Sequence, residues 1–177
     1  MRIFFAIGSA IWLAAMLSGQ APDAVKLVSA SSEEREFVKK VIEGNQKEVE
    51  MAHNALQKSS SPQVKQFAQR MVDDHSRANE ELAALARQKA IEPPSVPTTG
   101  GSPDTTSSSK DADLKGAEFD KAYMREMVSD HEKDASEFEK AAKFVKDADL
   151  KAFVDKTLPT LRDHLKEARA LSQSLGR

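Results

Sequence analysis

Residues 61–90 read SPQVKQFAQRMVDDHSRANEELAALARQKA, and this stretch decides the fold. Ser61 followed by Pro62 is an N-cap ahead of a proline at the first helical position, where the missing N–H is no loss. At 100° per residue, Val64, Phe67, Ala68, Met71, Ala78, Leu82 and Leu85 fall on one face. The rest of the surface is polar. The stretch is therefore an amphipathic helix ending near Ala90, with its apolar stripe turned into a shared core. His75 falls in the middle of that stripe.

The same pattern recurs on both sides. Residues Ser32 to Lys58 contain no proline, and Ser31 with Glu34 has capping-box spacing. Their stripe is Phe37, Val38, Val41, Ala52, Ala55 and Leu56. A third helix runs from about Ala117 to Lys146, with Tyr123, Met124, Met127, Phe138, Ala141 and Val145 inward. Asp147-Ala148-Asp149 opens a fourth, ending near Leu175, with Leu150, Val154, Leu158, Leu161, Leu165 and Ala168 inward. Pro159 is expected to kink or interrupt it. Residues Glu92 to Lys115 hold four prolines, Gly100-Gly101 and many Ser and Thr, the composition of a flexible polar linker.

The chain is thus read as all-α. It is a four-helix bundle over residues 32–175, made of two helical hairpins joined by the linker 92–115. Fully stretched, that linker reaches roughly 80 Å. It can run the length of a bundle, as in ferritin-like folds with one long crossover, or form a loose loop in an up-down-up-down bundle. An internal echo suggests hairpin duplication: Val64-Lys65-Gln66-Phe67 resembles Leu150-Lys151-Ala152-Phe153, and Met71-Val72-Asp73-Asp74-His75 resembles Met127-Val128-Ser129-Asp130-His131.

Composition narrows the function classes. A length of 177 residues suits one domain. Lys and Arg number 26 against 28 Asp and Glu, a net charge of −2, without any basic block, which argues against nucleic acid as a partner. The absence of cysteine excludes disulfides, thiolate metal sites and a cysteine nucleophile. Met1-Arg2, the apolar run Ile3 to Leu17 and the small residues that follow describe a secretory signal peptide over residues 1–21. That reading places the rest in the periplasm or outside the cell, with no membrane span once the leader is removed. Nothing indicates an organic cofactor.

The polar residues on the stripes are the candidates for function. Glu48 falls on the inner face of the first helix with Asn45 beside it, and His75 on that of the second. His131 and Asp134 fall on the third, one turn apart, and His164 on the flank of the fourth. Glu48, His75, His131 and His164 each lie roughly 20 Å from their helix start, so all reach mid-bundle whichever way the helices run. Asp134 is one turn away, and His53 is on the wrong side. An unpaired polar layer is not affordable in a domain of about 5–15 kcal/mol stability when a broken buried ion pair costs about 3–5 kcal/mol. A metal ion or a closed hydrogen-bond network must compensate.

Imidazole suits zinc, copper or iron, and carboxylate suits iron. Glu48, His75, His131, Asp134 and His164 are therefore the candidate ligands of a transition metal: iron, zinc or copper. Asp74, Asp130 and Asp163, each preceding a histidine, and the inward Tyr123 are candidate outer partners of the ring nitrogens. Met71 and Met127, one turn before a histidine, are core fillers or thioether donors for copper(I). The pattern departs from di-iron bundles, since Val72 and Leu161 stand where a Glu-x-x-His motif needs Glu.

Several segments together resemble a bacterial family, the domain-of-unknown-function family 4142. They are Glu48-Val49-Glu50, Ser61 to Ala68, Met71 to His75, Phe119 to Tyr123, Asp130 to Asp134 and Leu158 to Leu165. The resemblance covers about residues 33–175. It implies a ferritin-like bundle located in the cell envelope, with Glu at Glu48 and His at His75, His131 and His164, and it implies no established reaction.

Two functions follow as expectations. One is a periplasmic bundle that binds a metal ion for storage, stress protection or redox chemistry. The other is a non-catalytic envelope protein with a metal-free polar network. An oxidase-like metal activity is the only enzyme reading with support, because no serine sits in a nucleophile elbow.

Overall fold

The computed structural model describes residues 30–92, 94 and 113–176. The expected leader over residues 1–21 and most of the expected linker over 92–115 lie outside the described residues. Four helices follow in order: α1 (Ser32–Lys58), α2 (Pro62–Gln88), α3 (Gly116–Phe144) and α4 (Ala148–Leu175). Their starts are written in the sequence. Ser31 and Glu34 form the reciprocal capping box of α1, Ser61 Oγ accepts from the Val64 amide, and the Asp147 carboxylate accepts from the amides of Asp149 and Leu150.

Two buried carboxylates show how the hairpins are arranged. Glu34, near the start of α1, accepts at Oε1 from the Lys146 and Asp147 amides in the α3–α4 turn, at 2.8 and 2.9 Å. Asp120, near the start of α3, accepts at Oδ2 from the Ser60 and Ser61 amides in the α1–α2 turn, at 3.3 and 3.1 Å. Each hairpin thus latches the turn of the other. It follows that α1 runs antiparallel to α3, and α2 antiparallel to α4. The end of α2 and the start of α3 lie at opposite ends of the bundle. Of the two topologies left open by linker length, this is the long-crossover one, the connectivity that ferritin-like bundles also use.

The pairs Glu34/Asp120, Ser61/Asp147 and Phe67/Phe153 are each separated by 86 positions (120 − 34, 147 − 61, 153 − 67). The hairpins therefore correspond as repeats about an approximate two-fold relation. The echo of residues 71–75 in 127–131 follows a different spacing. It relates α2 to α3, which run parallel on opposite corners of the bundle, and is not the repeat.

Pro159 does not interrupt α4, which continues to Leu175. The proline is exposed, so its ring and the carbonyl it leaves unpaired face solvent. Its cost of about 3 kcal/mol is outweighed by the opposite face, where Phe153, Val154, Leu161 and Ala168 are buried at about 1.5–3 kcal/mol for each large side chain.

The core is divided. One apolar cluster is built around Phe37, Ile42, Leu82, Phe138 and Phe153. The other gathers Ala52, Phe67, Met71, Tyr123, Met124 and Met127. Between them in sequence, on every helix, stand the buried polar residues Asn45, Glu48, His75, His131 and His164.

At the end of α2 the Ile91 amide bonds to the Ala86 carbonyl at 2.8 Å and the Ala90 amide to that of Arg87 at 3.3 Å, a Schellman closure. It puts Ala90 at φ +50, where glycine is the usual residue. Ala90→Gly is expected to raise stability by about 1 kcal/mol, the lower end of the cost of a left-handed side-chain-bearing residue, as read by urea denaturation.

Burial alone would raise the pKa of Glu34, but the amides of Asp147, Ser31 and Lys146 bring it down to about 2. Its contribution to stability is therefore complete above pH 4.5 and is lost as the pH falls toward about 2. Glu34→Gln should cost about 1–3 kcal/mol at pH 7, and the gap between variant and parent should close in acid over that window.

Candidate metal centre

Each polar residue of the central layer sits where an apolar neighbour places it. His75 is one turn beyond Met71, His131 one turn beyond Met127, His164 three residues beyond Leu161, and Glu48 one turn before Ala52. The three histidines are 3%, 0% and 1% exposed. Their ring centroids form a nearly equilateral triangle: 5.5 Å from His75 to His131, 5.4 Å from His75 to His164 and 5.3 Å from His131 to His164.

The hydrogen bonds fix which nitrogen of each ring carries the proton. His75 Nδ1 donates to Asn45 Oδ1 at 2.9 Å and Glu48 Oε2 at 2.8 Å. His131 Nδ1 donates to the Met127 carbonyl at 3.0 Å. His164 Nε2 donates to Asp74 Oδ2 at 2.9 Å. Carboxylates and a carbonyl can only accept, so these nitrogens hold the hydrogens in the neutral rings. The opposite nitrogens, His75 Nε2, His131 Nε2 and His164 Nδ1, then carry lone pairs, and among the described residues none of the three has a hydrogen-bond partner. One nitrogen from each ring lies within 4.8 Å of those of the other two.

The electrostatics disfavour a charge on His131 and His164. Burial pushes the His164 imidazole down to about 4, against the pull of the Asp74 carboxylate. Burial likewise lowers His131, with Glu48 opposing it. Burial works against the charge of Glu48, but its contacts with His75 and then His131 hold it below the ordinary carboxylate range. Asp134 is pushed above that range, by burial first and then by the charge of Glu48 beside it. Burial also raises the Tyr123 phenol.

The residues expected from sequence divide into groups. Glu48, His75, His131, Asp134 and His164 do converge, but as two triads sharing His131. The groups are His75, His131 and His164, and Glu48, His131 and Asp134. Glu48 is on the protonated side of His75, so one ion cannot take both Glu48 Oε2 and the free Nε2 of that ring.

Among the aspartates, Asp74 reaches a ring nitrogen, and it belongs to His164 across the bundle. Asp130 instead faces Lys47 at 3.5 Å and Lys133 at 3.1 Å. Asp163 is exposed, so the outer-partner role expected for it is not realised: α4 turns its side chain to solvent. Tyr123 is buried, and its hydroxyl has no partner among the described residues. His53 is exposed. Sequence reasoning left Asn45 and the Met127 carbonyl out of the site. Asn45 stands one turn before Glu48 on the same stripe, which was the available signal; a backbone acceptor has none.

A cavity of about 90 Å³ opens between α2 and α4 beside His75, His164 and Asp74, with Arg77, Lys156 and Thr160 at its walls. A smaller one of about 30 Å³ lies between α1 and α3, lined by Lys40, Gly44, Asn45, Glu48, Asp134 and Glu137 among others.

Comparison with known proteins gives the family and bears on the fold. The family described as "Domain of unknown function (DUF4142)" matches residues 19–171. No curated protein matches the chain. Among solved structures, the chain is similar to CopM in its Cu(I)-bound form, at 20% identity and TM-score 0.65, covering 80% of this chain and 96% of that one. It is similar to CopM in an Ag-bound form at 18% identity and TM-score 0.66, with coverage of 80% and 95%. A DUF305 fragment from Deinococcus radiodurans matches at 15% identity and TM-score 0.67, covering 84% of this chain and 98% of that one.

The bond between Asp74 and His164 joins α2 to α4 inside the layer. Asp74→Ala is expected to cost about 1–3 kcal/mol by leaving a buried N–H without an acceptor. A double-mutant cycle with His164→Ala should return a coupling of about 0.5–3 kcal/mol, measured by denaturant unfolding of the metal-free protein.

Proposed function

Given that the chain belongs to the DUF4142 family, whose description assigns no activity, we propose that it binds one copper ion on His75 Nε2, His131 Nε2 and His164 Nδ1. The observation that carries this reading is the set of three buried lone pairs without a protein partner, on rings whose centroids lie 5.3–5.5 Å apart. An unsatisfied buried polar atom costs about 1–3 kcal/mol, so three together are comparable with the lower range of a domain's stability, about 5–15 kcal/mol. A cation that accepts all three lone pairs removes that cost. A metal-free polar network is the less favoured reading, because its members leave these atoms unpaired.

Three imidazoles suit copper, and the Irving–Williams order places copper(II) above iron and zinc for a given site. CopM, of similar fold, is named in Cu(I)-, Cu(II)- and Ag-bound forms, which supports copper over the other candidates. Met71 and Met127, buried one turn from His75 and His131, add soft donors to the neighbourhood. Asn45, Glu48, the Met127 carbonyl and Asp74 hold the rings in the required tautomer, the part that outer partners play at imidazole metal sites. Bound copper would supply a one-electron redox centre. The leader-like residues 1–21 support a place in the cell envelope, where the bundle would hold or buffer the ion. No helix among the described residues is long and apolar enough to cross a membrane.

Elemental analysis of the copper-loaded chain is expected to give one copper per molecule. At free copper about a thousandfold above Kd, binding should raise unfolding stability by about 4 kcal/mol. His131→Ala and His164→Ala should lose both the ion and the gain, while exposed His53→Ala should keep both. Absence of stoichiometric copper in the parent chain, or a stability gain that persists in His131→Ala, would reject the assignment.

A further inference from the structure

The carboxylate triad beside the histidines has its own geometry and its own opening. Glu48 is 4% exposed, and its Oε1 has no hydrogen-bond donor in the network that fixes the rings. His131 Nδ1 is 3.5 Å away but gives its hydrogen to the Met127 carbonyl. Facing Glu48 is Asp134, its counterpart 86 positions on (134 − 48). The approximate two-fold relation thus brings two acids together at the α1–α3 seam. Two carboxyl groups in contact hold either one proton or one cation between them, and a metal ion that enters takes the place of the proton.

The cavity at this seam is graded. Its lining passes from exposed Lys40 and Glu137, through half-buried Gly44 and Asp134, to buried Asn45 and Glu48. About 10–15 Å³ suffices for one water-sized particle, so about 30 Å³ admits a cation stripped of most of its water and not a fully hydrated one. Carboxylate oxygens are the groups that replace such water. The larger α2–α4 cavity has Arg77 and Lys156 beside Asp74 and Glu81, a balanced lining with no pull on a cation. At the α1–α3 seam, Glu48, Asp134 and Glu137 outnumber Lys40.

We propose that Glu48 Oε1 and the Asp134 carboxylate, beside His131, form an outer cation position at the α1–α3 seam, through which a transition-metal ion reaches the three-histidine site. The proposal rests on the copper-binding reading above and adds the route and the transit ligands. His131 stands between the two groups, and with its Nδ1 committed to Met127 its one lone pair, on Nε2, is left to the three-histidine site. The two positions are successive stations for one ion, and the chain never holds two.

Gly44 makes the route testable without damaging the fold. A Cβ built there meets nothing within 4 Å, so a side chain at this position enters open space at the cavity mouth. Glycine in a helix interior is itself the less stable choice, so Gly44→Leu is expected to fold at least as well as the parent. Uptake of Cu(II) by the full chain would be followed by stopped-flow competition with a chromophoric chelator. Equilibrium affinity and stoichiometry would be measured on the same samples.

Gly44→Leu and Asp134→Asn should each slow uptake by about tenfold or more, the scale of electrostatic focusing in a charged cleft, with affinity changed by far less and stoichiometry still one. Thr160→Leu, filling the α2–α4 cavity instead, should leave the rate unchanged. Parental rates in both seam variants, or slowing confined to Thr160→Leu, overturn the route. An affinity loss in Asp134→Asn as large as that of His164→Ala overturns the transit role, since Asp134 would then hold the resident ion. Failure of the parent chain to bind Cu(II) at all overturns the copper reading itself, an outcome distinct from unchanged kinetics with normal affinity.

Discussion

The structure depends on a constraint of imidazole chemistry. A neutral ring has one N–H and one lone pair, so fixing an acceptor on one side turns the other nitrogen into a donor to something else. Three rings from three helices each have the first nitrogen committed, to Asn45 and Glu48, to the Met127 carbonyl and to Asp74. Burial keeps His131 and His164 uncharged. The remaining lone pairs are left to meet at the waist of the bundle, between two apolar clusters that admit no polar substitute. The metal reading follows from that committed tautomer more than from the presence of three histidines.

The histidines also break the repeat that builds the bundle. Glu34 and Asp120 are equivalent and do the same work, each clamping the turn of the opposite hairpin. Glu48 and Asp134 are equivalent and meet across the seam. At the same spacing, however, His131 corresponds to Asn45, His75 to Leu161 and His164 to Ala78. The scaffold is thus close to two-fold, whereas the donor set is one-sided. The triad leans toward the α2–α4 cavity and the carboxyl pair toward the α1–α3 seam.

Much of this was legible in the sequence because it obeys a period. The stripes of Val64, Phe67, Met71 and Leu82 and of their three counterparts set the helices and their inner faces, and equal depth along each helix set the common level of Glu48, His75, His131 and His164. The capping signals at Ser31, Ser61 and Asp147 set the helix starts. What the sequence left open lacks a period. Chain direction across the long link was undecided until Glu34 and Asp120 revealed which turn each one clamps. The division of five polar residues into two triads depends on ring orientation, which spacing does not encode. Asp163 shows the limit of analogy. It precedes a histidine as Asp74 does, yet its direction on α4 leads to solvent, and only the helix opposite Asp74 supplies a ring nitrogen to reach.

The position of the triad gives metal binding a structural consequence. The helices within each hairpin pack more extensively on one another than across the two seams. The seams are closed by apolar contacts such as Phe37 on Phe138, by the reciprocal carboxylate latches at the bundle ends and by the polar layer at its middle. His75 comes from the first hairpin, and His131 and His164 come from the second. An ion bound to all three would therefore bond the hairpins together at the one level where apolar packing is interrupted. Free energy of binding would then become free energy of hairpin association, as expected for a site that the separated segments cannot assemble. In that arrangement the polar layer, a weakness of the metal-free bundle, becomes its central clasp.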